Sequence, residues 1–266
     1  MNYTEHRSFD RERPPAADFS WLPVSKALAL TLLTISAACL FNELVAAEPI
    51  STYRATYDIS YRNLRVGTSE FSVTRDPTSG TYTFASTSRF QGLMGLVSPR
   101  PFVEISEFVY EQDQIRPLRY SYEGGNRKGE DNYNIAFDWT NGVATTTTQD
   151  RRIQSELTPG SLDRGSMQAA VILDMSASGP DRYTLVDNDG TSIYEYSTDG
   201  EETLDTPMGL VVAQKFIQQR RGSSRRTIIW MSSKLDYLPV RIEQQKNSDT
   251  RATFFLQSFE WLGEEE

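Results

Sequence analysis

The chain has 266 residues, a formal net charge of −9, one cysteine and one histidine. Cys39 and His6 both lie in the first 47 residues. We expect these residues to be removed on export, because they contain a segment typical of a secretory signal peptide. The remaining chain has neither thiol nor imidazole. This excludes disulfides, histidine-dependent triads, cysteine nucleophiles and zinc sites built from histidine and cysteine.

Residues 27–47 are interpreted as a secretory signal peptide. The apolar run 27–41 follows Lys26 and is shorter than the about 20 residues of a membrane span. Its length suits the apolar region of a signal peptide, and the small residues at 45–47 place cleavage after Ala47. We therefore expect a periplasmic protein. The alternatives are anchoring by an uncleaved segment 27–47 and lipidation at Cys39.

Residues 1–26 carry as many acidic as basic side chains, unlike the basic start of an ordinary signal peptide. We interpret them as a disordered extension or as the product of a mis-assigned translation start. Removal of residues 1–47 leaves 23 basic and 31 acidic side chains, a net charge of −8. So acidic a chain is not expected to bind nucleic acid.

From Thr52 onward the sequence alternates apolar and polar residues with the period of two that strands show. The first example is 53–61, and the pattern returns at 71–73, 118–122, 133–139 and 254–261. One apolar face per strand is typical of antiparallel sheet with one buried side.

Turn-forming pairs divide these strands. Residues 141–142 (NG), 189–190 (DG) and 199–200 (DG) favour two-residue hairpins, because Asn, Asp and Gly accept positive φ. The last two pairs predict a three-stranded meander with strands at 182–187, 192–198 and 201–205.

One segment predicts a helix, residues 162–175, with Ser161 or Asp163 as its cap and Gly179 beyond its end. The expected fold is mainly β: a large curved antiparallel sheet or half-barrel of about a dozen strands with this one short helix. Residues 48–262 are expected to form a single domain, followed by an acidic tail at 263–266.

The segment 91–101 is apolar without strand periodicity and contains glycines that interrupt it. One interpretation is a mobile flap over a cavity, or a patch that touches lipid or a partner. The other is a loop or short helix that plugs one end of the barrel. The candidate residues are Leu93, Met94, Leu96 and Val97.

Four arginines surround a turn at 222–224, in contrast to the acidic chain as a whole. Guanidinium groups favour bidentate contacts with phosphate or carboxylate, so a lipid phosphate or an acidic partner is one interpretation. A solvated tip paired with local carboxylates is the other. The four are Arg220, Arg221, Arg225 and Arg226.

Trp230 and Arg241 lie in neighbouring predicted strands and are two further candidates for ligand contact. The alternative for Trp230 is a core anchor, because large aromatic residues chiefly supply buried area. The alternative for Arg241 is a structural ion pair.

Motifs of acyl transfer and of nucleotide binding are absent from the sequence. A pair of carboxylates needs neither His nor Cys, but Glu104 and Glu107 are three apart and would point to opposite faces of a strand. The sequence therefore favours a protein that is not an enzyme, without cofactor or metal.

Four segments carry a resemblance to a known family: 64–67 (LRVG), 205–209 (DTPMG), 226–230 (RTIIW) and 235–242 (LDYLPVRI). In this series the chain resembles the bacterial domain-of-unknown-function family 3108. The resemblance implies an exported, single-domain, β-rich periplasmic protein and implies no activity. More distantly, residues 238–241 (LPVR) and the expected curved sheet resemble periplasmic lipoprotein carriers with a half-barrel fold.

Two functions remain from the sequence. The first is a binding module for an apolar or amphipathic, lipid-like ligand in the envelope. The second is a structural or interaction protein of envelope assembly whose core is filled by side chains. A lipid or an envelope protein is thus the expected partner, with membrane contact through an uncleaved signal or through the loop 91–101.

Overall fold

The structure, a computed structural model, describes residues 50–126, 128–176 and 182–263. The expectations on residues 1–26, the signal peptide 27–47, cleavage after Ala47 and lipidation at Cys39 fall outside the described residues. So does most of the expected acidic tail.

The described residues form one sheet of fifteen strands. The strands of the first half of the chain are β1 (Tyr53–Tyr61), β2 (Leu64–Arg75), β3 (Tyr82–Phe90), β4 (Phe102–Glu111), β5 (Gln114–Gly124), β6 (Tyr133–Asp138), β7 (Val143–Thr148) and β8 (Arg152–Glu156). Those of the second half are β9 (Ser161–Leu162), β10 (Arg182–Asp187), β11 (Gly190–Thr206), β12 (Gly209–Arg220), β13 (Arg225–Met231), β14 (Pro239–Lys246) and β15 (Asp249–Trp261). The helices are α1 (Gly92–Val97), α2 (Arg164–Ser176) and a short 3₁₀ turn at Ser233–Leu235.

The first and last strands pair with each other in the middle of the sheet. The strand order is β8-β7-β6-β5-β4-β3-β2-β1-β15-β14-β13-β12-β11-β10-β9, so each half of the chain is a meander that leads away from the β1–β15 pair. All neighbours are antiparallel except β9 and β10. The expected mainly β fold is thus confirmed.

The sheet curves until its two outer parts meet. The Thr146 hydroxyl on β7 donates to the Asp187 carbonyl at the end of β10 over 3.2 Å. Arg151 donates to the carbonyl of Asn188 over 3.2 Å. Side chains, rather than a ladder of backbone hydrogen bonds, therefore hold the barrel-like curvature closed.

Helix α2 packs against the inner face of this curved sheet. Asp163 caps it reciprocally: its Oδ1 accepts from the Ser166 N–H, and the Ser166 hydroxyl accepts from the Asp163 N–H, both at 2.9 Å. A Cβ on Gly165 would lie 2.5 Å from the Cβ of Ser106. Glycine is needed here because the helix crosses β4 at close range.

The main core fills the space between α2 and the strands. It includes fully buried side chains from the central strands β1 and β15 and from β4, such as Tyr57, Leu256 and Phe108, with Val171 of α2 in the same cluster. Alternation along each strand sends these side chains inward, as the pattern of the sequence predicts.

Three details differ from the sequence expectations. α2 begins at Arg164 and not at residue 162, because Ser161 and Leu162 pair with β10 as the short strand β9. The segment with Gly92 at its start forms a second, six-residue helix. The predicted turn at 199–200, between the second and third strands of the meander, is wrong. Strand β11 continues through these residues, and its register with β12 shifts between Thr198 and Glu201. With Gly200 at positive φ, the Asp-Gly pair makes a β-bulge there in place of a turn.

Candidate ligand cavity

A cavity of about 390 Å³ lies inside the barrel-like sheet, next to the first turn of α2. Five phenylalanines from strands β2, β3, β4 and β15 form its apolar wall. They are Phe71, Phe84, Phe90, Phe102 and Phe254. The ring centroid of Phe71 is 6.1 Å from those of both Phe84 and Phe254, and Phe90 meets Phe102 edge-on at 5.5 Å. The rings therefore form two clusters, one of three rings and one of two, that face the same unfilled space.

Uncharged polar side chains share the lining. Gln168 projects from α2, and Gln218, Thr227 and Gln244 project from β12, β13 and β14. Such groups offer both donors and acceptors. The cavity thus combines an aromatic wall with a surface that can accept and donate hydrogen bonds.

Arg164 and Glu104 bring charge to the lining. The Arg164 side chain is 42% exposed, whereas its partner Asp187 is only 4% exposed. Nε and Nη2 of Arg164 donate to Oδ2 of Asp187 over 3.2 and 2.8 Å. Tyr133 and the Asn188 N–H donate to Oδ1 over 2.7 and 2.8 Å. Asp187 therefore fixes one edge of the guanidinium, while Arg164 faces the cavity.

Opposing effects set the pKa of Asp187 and of Glu104. Burial raises the pKa of Asp187, but the Arg164 guanidinium and the hydrogen bonds outweigh it and leave that pKa below its ordinary value. For Glu104 burial prevails and raises the pKa, although Arg164 and the hydrogen bond from Tyr120 oppose the rise. The Tyr120 hydroxyl donates to Glu104 over 2.7 Å. The cavity thus holds a fixed cation beside a carboxyl that accepts a proton more readily than usual.

Beneath these groups, burial raises the pKa of the helix cap Asp163 to about 7. Its carboxylate accepts hydrogen bonds from Ser106 and Ser166, which oppose that rise. Asp163 is fully buried and does not line the cavity. It anchors the start of α2, and so positions Arg164, the next residue.

The candidate segment 91–101 connects two cavity-lining residues, Phe90 and Phe102. It holds α1, none of whose residues is buried. Leu93, Leu96 and Val97 are 82%, 78% and 74% exposed, and Met94 is 38% exposed. These apolar side chains therefore lie at the surface beside the cavity and do not plug the barrel.

The four candidate arginines do not converge on one site. Arg220 pairs with Asp189 at 3.3 Å and Arg221 with Glu195 at 2.5 Å. Arg226 donates to Gln245 over 2.9 Å, and Arg225 is exposed. They occupy the β12–β13 hairpin at the same end of the barrel as α1.

Trp230 and Arg241 lie away from the cavity. Trp230 is buried in a second apolar cluster with Ile228 and Val240, and its Nε1 donates to Glu202 over 2.8 Å. The Arg241 guanidinium lies 4.7 Å from the centre of the Trp230 ring and pairs with Glu243. Trp230 therefore packs in the core, and Arg241 forms a structural ion pair. These are the alternatives to ligand contact that the sequence offers for the two residues.

Sequence reasoning missed the residues that line the cavity. From the sequence, Glu104 is a candidate only as half of a catalytic pair, and Arg164 is not a candidate. The available signal was position: Arg164 follows the helix cap, and Phe71, Phe84 and Phe254 are inward members of alternating strands. Nothing in the sequence marks which inward residues border a space and which are packed.

Two other concave regions differ in character. One of about 280 Å³ lies at the opposite end of α2, beside Ala169 and Leu173. The other, about 620 Å³, is a groove across β4–β8 that includes the exposed Glu107–Arg119 ion pair, with 2.7 Å between its atoms. The first is lined by Tyr53, Tyr237 and Trp261 but by no cation, and the second by two aromatic residues, Tyr120 and Phe137, so neither has the five phenylalanines of the cavity.

In the described part of the chain no helix is long and apolar enough to cross a membrane. The same residues hold no cluster of three or more His, Cys, Asp or Glu suited to a metal ion.

Comparison with known proteins gives a family and a fold. A family model described as "Protein of unknown function (DUF3108)" matches residues 56–255. No curated protein matches the sequence. Among solved structures, the chain is similar to a beta-barrel-like protein of domain of unknown function DUF1849 from Brucella abortus. That match has a TM-score of 0.51 and 10% identity and covers 80% of this chain and 99% of that one. A protein from Bacteroides fragilis described as a "putative exported protein with YmcC-like fold" aligns at 9% identity over 80% of this chain and 96% of its own, with a TM-score of 0.28.

Proposed function

The chain belongs to the DUF3108 family, and we propose that it is a non-catalytic binding protein that holds an amphipathic, lipid-like ligand in its cavity. The observation that carries the proposal is the unfilled space of about 390 Å³ between the phenylalanine wall and Arg164. Ligand sites commonly measure about 300–1,000 Å³ and combine apolar walls with a few polar groups. The space is therefore large enough for a small ligand or a single acyl chain.

The apolar and the charged parts of the lining suit the acyl chain and the head group of such a ligand, respectively. An acyl chain against Phe71, Phe84 and Phe254 would gain about 0.8 kcal/mol for each buried CH₂ group. Arg164 offers a cation already oriented by Asp187, which suits an oxygen-rich head group. Glu104 beside it would disfavour a second negative charge when ionised and donate a hydrogen bond when protonated.

The cavity also favours ligand binding over the alternative of a purely structural protein with a filled core. A protein with that role gains stability from complete packing, because empty space next to apolar side chains forfeits contacts. Here packing is complete around Phe108 and Leu256, which have no exposed surface, and ends at the phenylalanine wall.

A fluorescent fatty acid, dansyl-undecanoic acid, tests the proposal by titration against the purified chain without residues 1–47. We expect saturable binding with blue-shifted emission. Ala252 lines the cavity, so Ala252→Trp fills it and should weaken binding by about ten-fold or more.

Thr253→Trp supplies the matched control, because the next residue of β15 points to the opposite face. It should bind the probe as the unchanged chain does, and circular dichroism should show both variants folded. Absence of saturable binding to the unchanged chain, or equal affinity of the two variants, would overturn the proposal.

We also propose that the protein acts in the periplasm, on the strength of the signal-like residues 27–47. Fractionation of cells that express the full chain should place it in the periplasmic fraction, with a mature form that begins at Glu48. Retention in the membrane fraction at full mass would instead support an uncleaved anchor.

A further inference from the structure

We propose that the end of the barrel beside the cavity docks on the surface of an anionic phospholipid bilayer. The bilayer would be the partner of the proposed ligand-binding protein. Only the biological reason for docking rests on the proposed function. Docking itself is supported by the charge and exposure of four neighbouring connections. They are β1–β2, β3–β4, β12–β13 and β14–β15, and we call them the cavity rim.

These four connections are neighbours because of the strand order. Strands β4-β3-β2-β1-β15-β14-β13-β12 are consecutive in the sheet, and antiparallel neighbours place alternate connections at one end. The register agrees: Gly67 pairs with Phe90, Ser60 with Thr253, and Arg225 with Lys246. The cavity-lining Phe90, Phe102 and Thr227 adjoin the same connections. The cavity rim is therefore a continuous arc beside the cavity.

The cavity rim is basic although the chain is acidic. Segments 61–67, 89–101, 220–226 and 246–251 contain ten Arg or Lys and one acidic residue, Asp249, in a chain with a net charge of −9. Connections at the opposite end carry acids, among them Asp76, Glu111, Asp113 and Asp138. The connections β5–β6, β7–β8 and β10–β11 lie at the same end as the rim but outside it, and they also carry acids, among them Glu130, Asp150 and Asp189. Surface charges act over a Debye length of about 8 Å at physiological salt. A partner that touches the rim is therefore affected mainly by the charges of the rim and little by those at the opposite end.

Half of these cations are available to a partner. Arg62, Arg89, Arg100, Arg225 and Lys246 are all exposed. Throughout the described residues none of the five takes part in an ion pair. Arg65, Arg220, Arg221 and Arg251 by contrast pair with nearby carboxylates.

Exposed apolar side chains project from the same rim. Leu64 at the start of β2 is 71% exposed, and Gln91 of the α1 segment donates to the carbonyl of Val66 over 2.7 Å. The tip with Leu64 thus adjoins α1, with its exposed Leu93, Leu96 and Val97. Cations beside protruding apolar residues match an interface in which phosphates meet the cations and apolar groups enter the acyl boundary.

This arrangement fits a bilayer better than a protein partner. The apolar residues protrude from two adjacent tips, Leu64 on one and Leu93, Leu96 and Val97 on the six-residue α1, so they form projections and not a groove that could hold a helix or strand. A bilayer accepts separate insertions, and it is also a source and destination for the amphipathic ligand proposed above. Docking would place the cavity next to that source.

Co-sedimentation with vesicles tests the inference, with no probe ligand present. We expect the chain without residues 1–47 to bind equimolar phosphatidylglycerol–phosphatidylcholine vesicles, to bind pure phosphatidylcholine vesicles weakly, and to be released by salt. The double variant Arg89→Glu/Arg100→Glu should lower partitioning to the anionic vesicles by about ten-fold or more, since each cation near such a surface adds to the attraction and each introduced carboxylate opposes it. Leu93→Asp/Leu96→Asp should lower it as well.

Matched controls lie at the opposite end. Leu210 is 75% exposed there, and Lys234 is an exposed cation, so Leu210→Asp and Lys234→Glu should leave vesicle binding unchanged. Equal effects of rim and control variants, or no preference for anionic vesicles, would overturn the inference. The rim variants change no residue of the cavity lining. If they still bind the fatty acid, loss of docking is thereby separated from loss of ligand binding.

Discussion

Two halves of the barrel interior use the same strands and differ in how their side chains fill space. Around α2, Tyr57, Phe108 and Leu256 have no exposed surface. Toward the cavity rim, the inward residues of β2 and β15 are Phe71 and Phe254, which stay half-buried beside an open space. Both halves obey the same alternation of inward and outward residues.

The difference separates the part of the molecule that supplies stability from the part free to bind. Close packing around α2 gives the hydrophobic free energy of a core. The cavity half gives up part of that free energy. We expect substitutions in the two halves to have effects of different size and kind, and three predictions test this.

The largest difference is expected between two phenylalanines. Phe108→Ala removes a fully buried ring that stacks on Tyr82 at 5.7 Å, and should lower the free energy of unfolding by about 3–5 kcal/mol. Phe254→Ala borders a space that already exists and should cost about 1 kcal/mol, while weakening fatty acid binding. Urea denaturation measures both, and equal losses would contradict the division into two halves.

An intermediate effect is expected where the halves meet, at Arg164 and Asp187. Arg164→Met leaves the buried Asp187 carboxylate without its cation. We expect a loss of about 2–3 kcal/mol, below the value for a fully buried pair because Arg164 is 42% exposed. Adding Asp187→Asn should recover part of that loss.

The exposed pair Arg54–Glu260, with 2.6 Å between its atoms, supplies the control for that experiment. Arg54→Met should change the free energy of unfolding by less than about 1 kcal/mol. If both arginine variants lose the same stability, the Arg164–Asp187 pair is no more than a surface ion pair.

The third prediction concerns a pH dependence at Asp163, under the packed half. Burial raises its pKa to about 7 in the folded chain, against about 3.9 when unfolded. The folded chain therefore binds the proton more tightly, and the associated stability is present below about pH 4 and lost as pH rises toward 7. The hydrogen bonds to Ser106 and Ser166 are retained more nearly by Asn than by Ala.

Asp163→Asn should consequently gain stability relative to the unchanged chain between pH 5 and 8 in urea unfolding. Asp187 contributes the opposite dependence, because its lowered pKa makes its stabilisation fade only in more acidic solution. Glu104 contributes a pH dependence of stability that remains in the Asp163→Asn variant, since the pKa of Glu104 is also raised. An unchanged difference across this pH range would place the Asp163 pKa outside it.

Local chemistry made several features predictable. A hairpin does turn at Asn141-Gly142, with positive φ at Gly142, although its connection spans residues 139–142 and is longer than the expected two residues. The capping pair Asp163 and Ser166 marks the start of α2. Alternation likewise marks β1 as a strand with one buried face.

Other features depend on neighbouring strands. Asp199-Gly200 has the chemistry of a hairpin turn but forms a bulge, because β12 pairs with β11 on both sides of it. In β15, a register shift opposite Thr56 and Tyr57 lets Leu256 face the core while Phe259 beyond the shift also packs against it. Strict alternation along the sequence assigns those two residues to opposite faces.

The sequence by itself determined the β-rich class, the family-like segments, and a chain beyond residue 47 without thiol or imidazole. Periodicity and residue chemistry are local, so they can be read from one chain. Only the tertiary structure decided that Phe71, Phe84 and Phe254 face a space, that Arg164 is fixed by Asp187 beside it, and that four separate basic tips form one rim. Those properties arise from strand order and curvature, which bring together residues far apart in sequence.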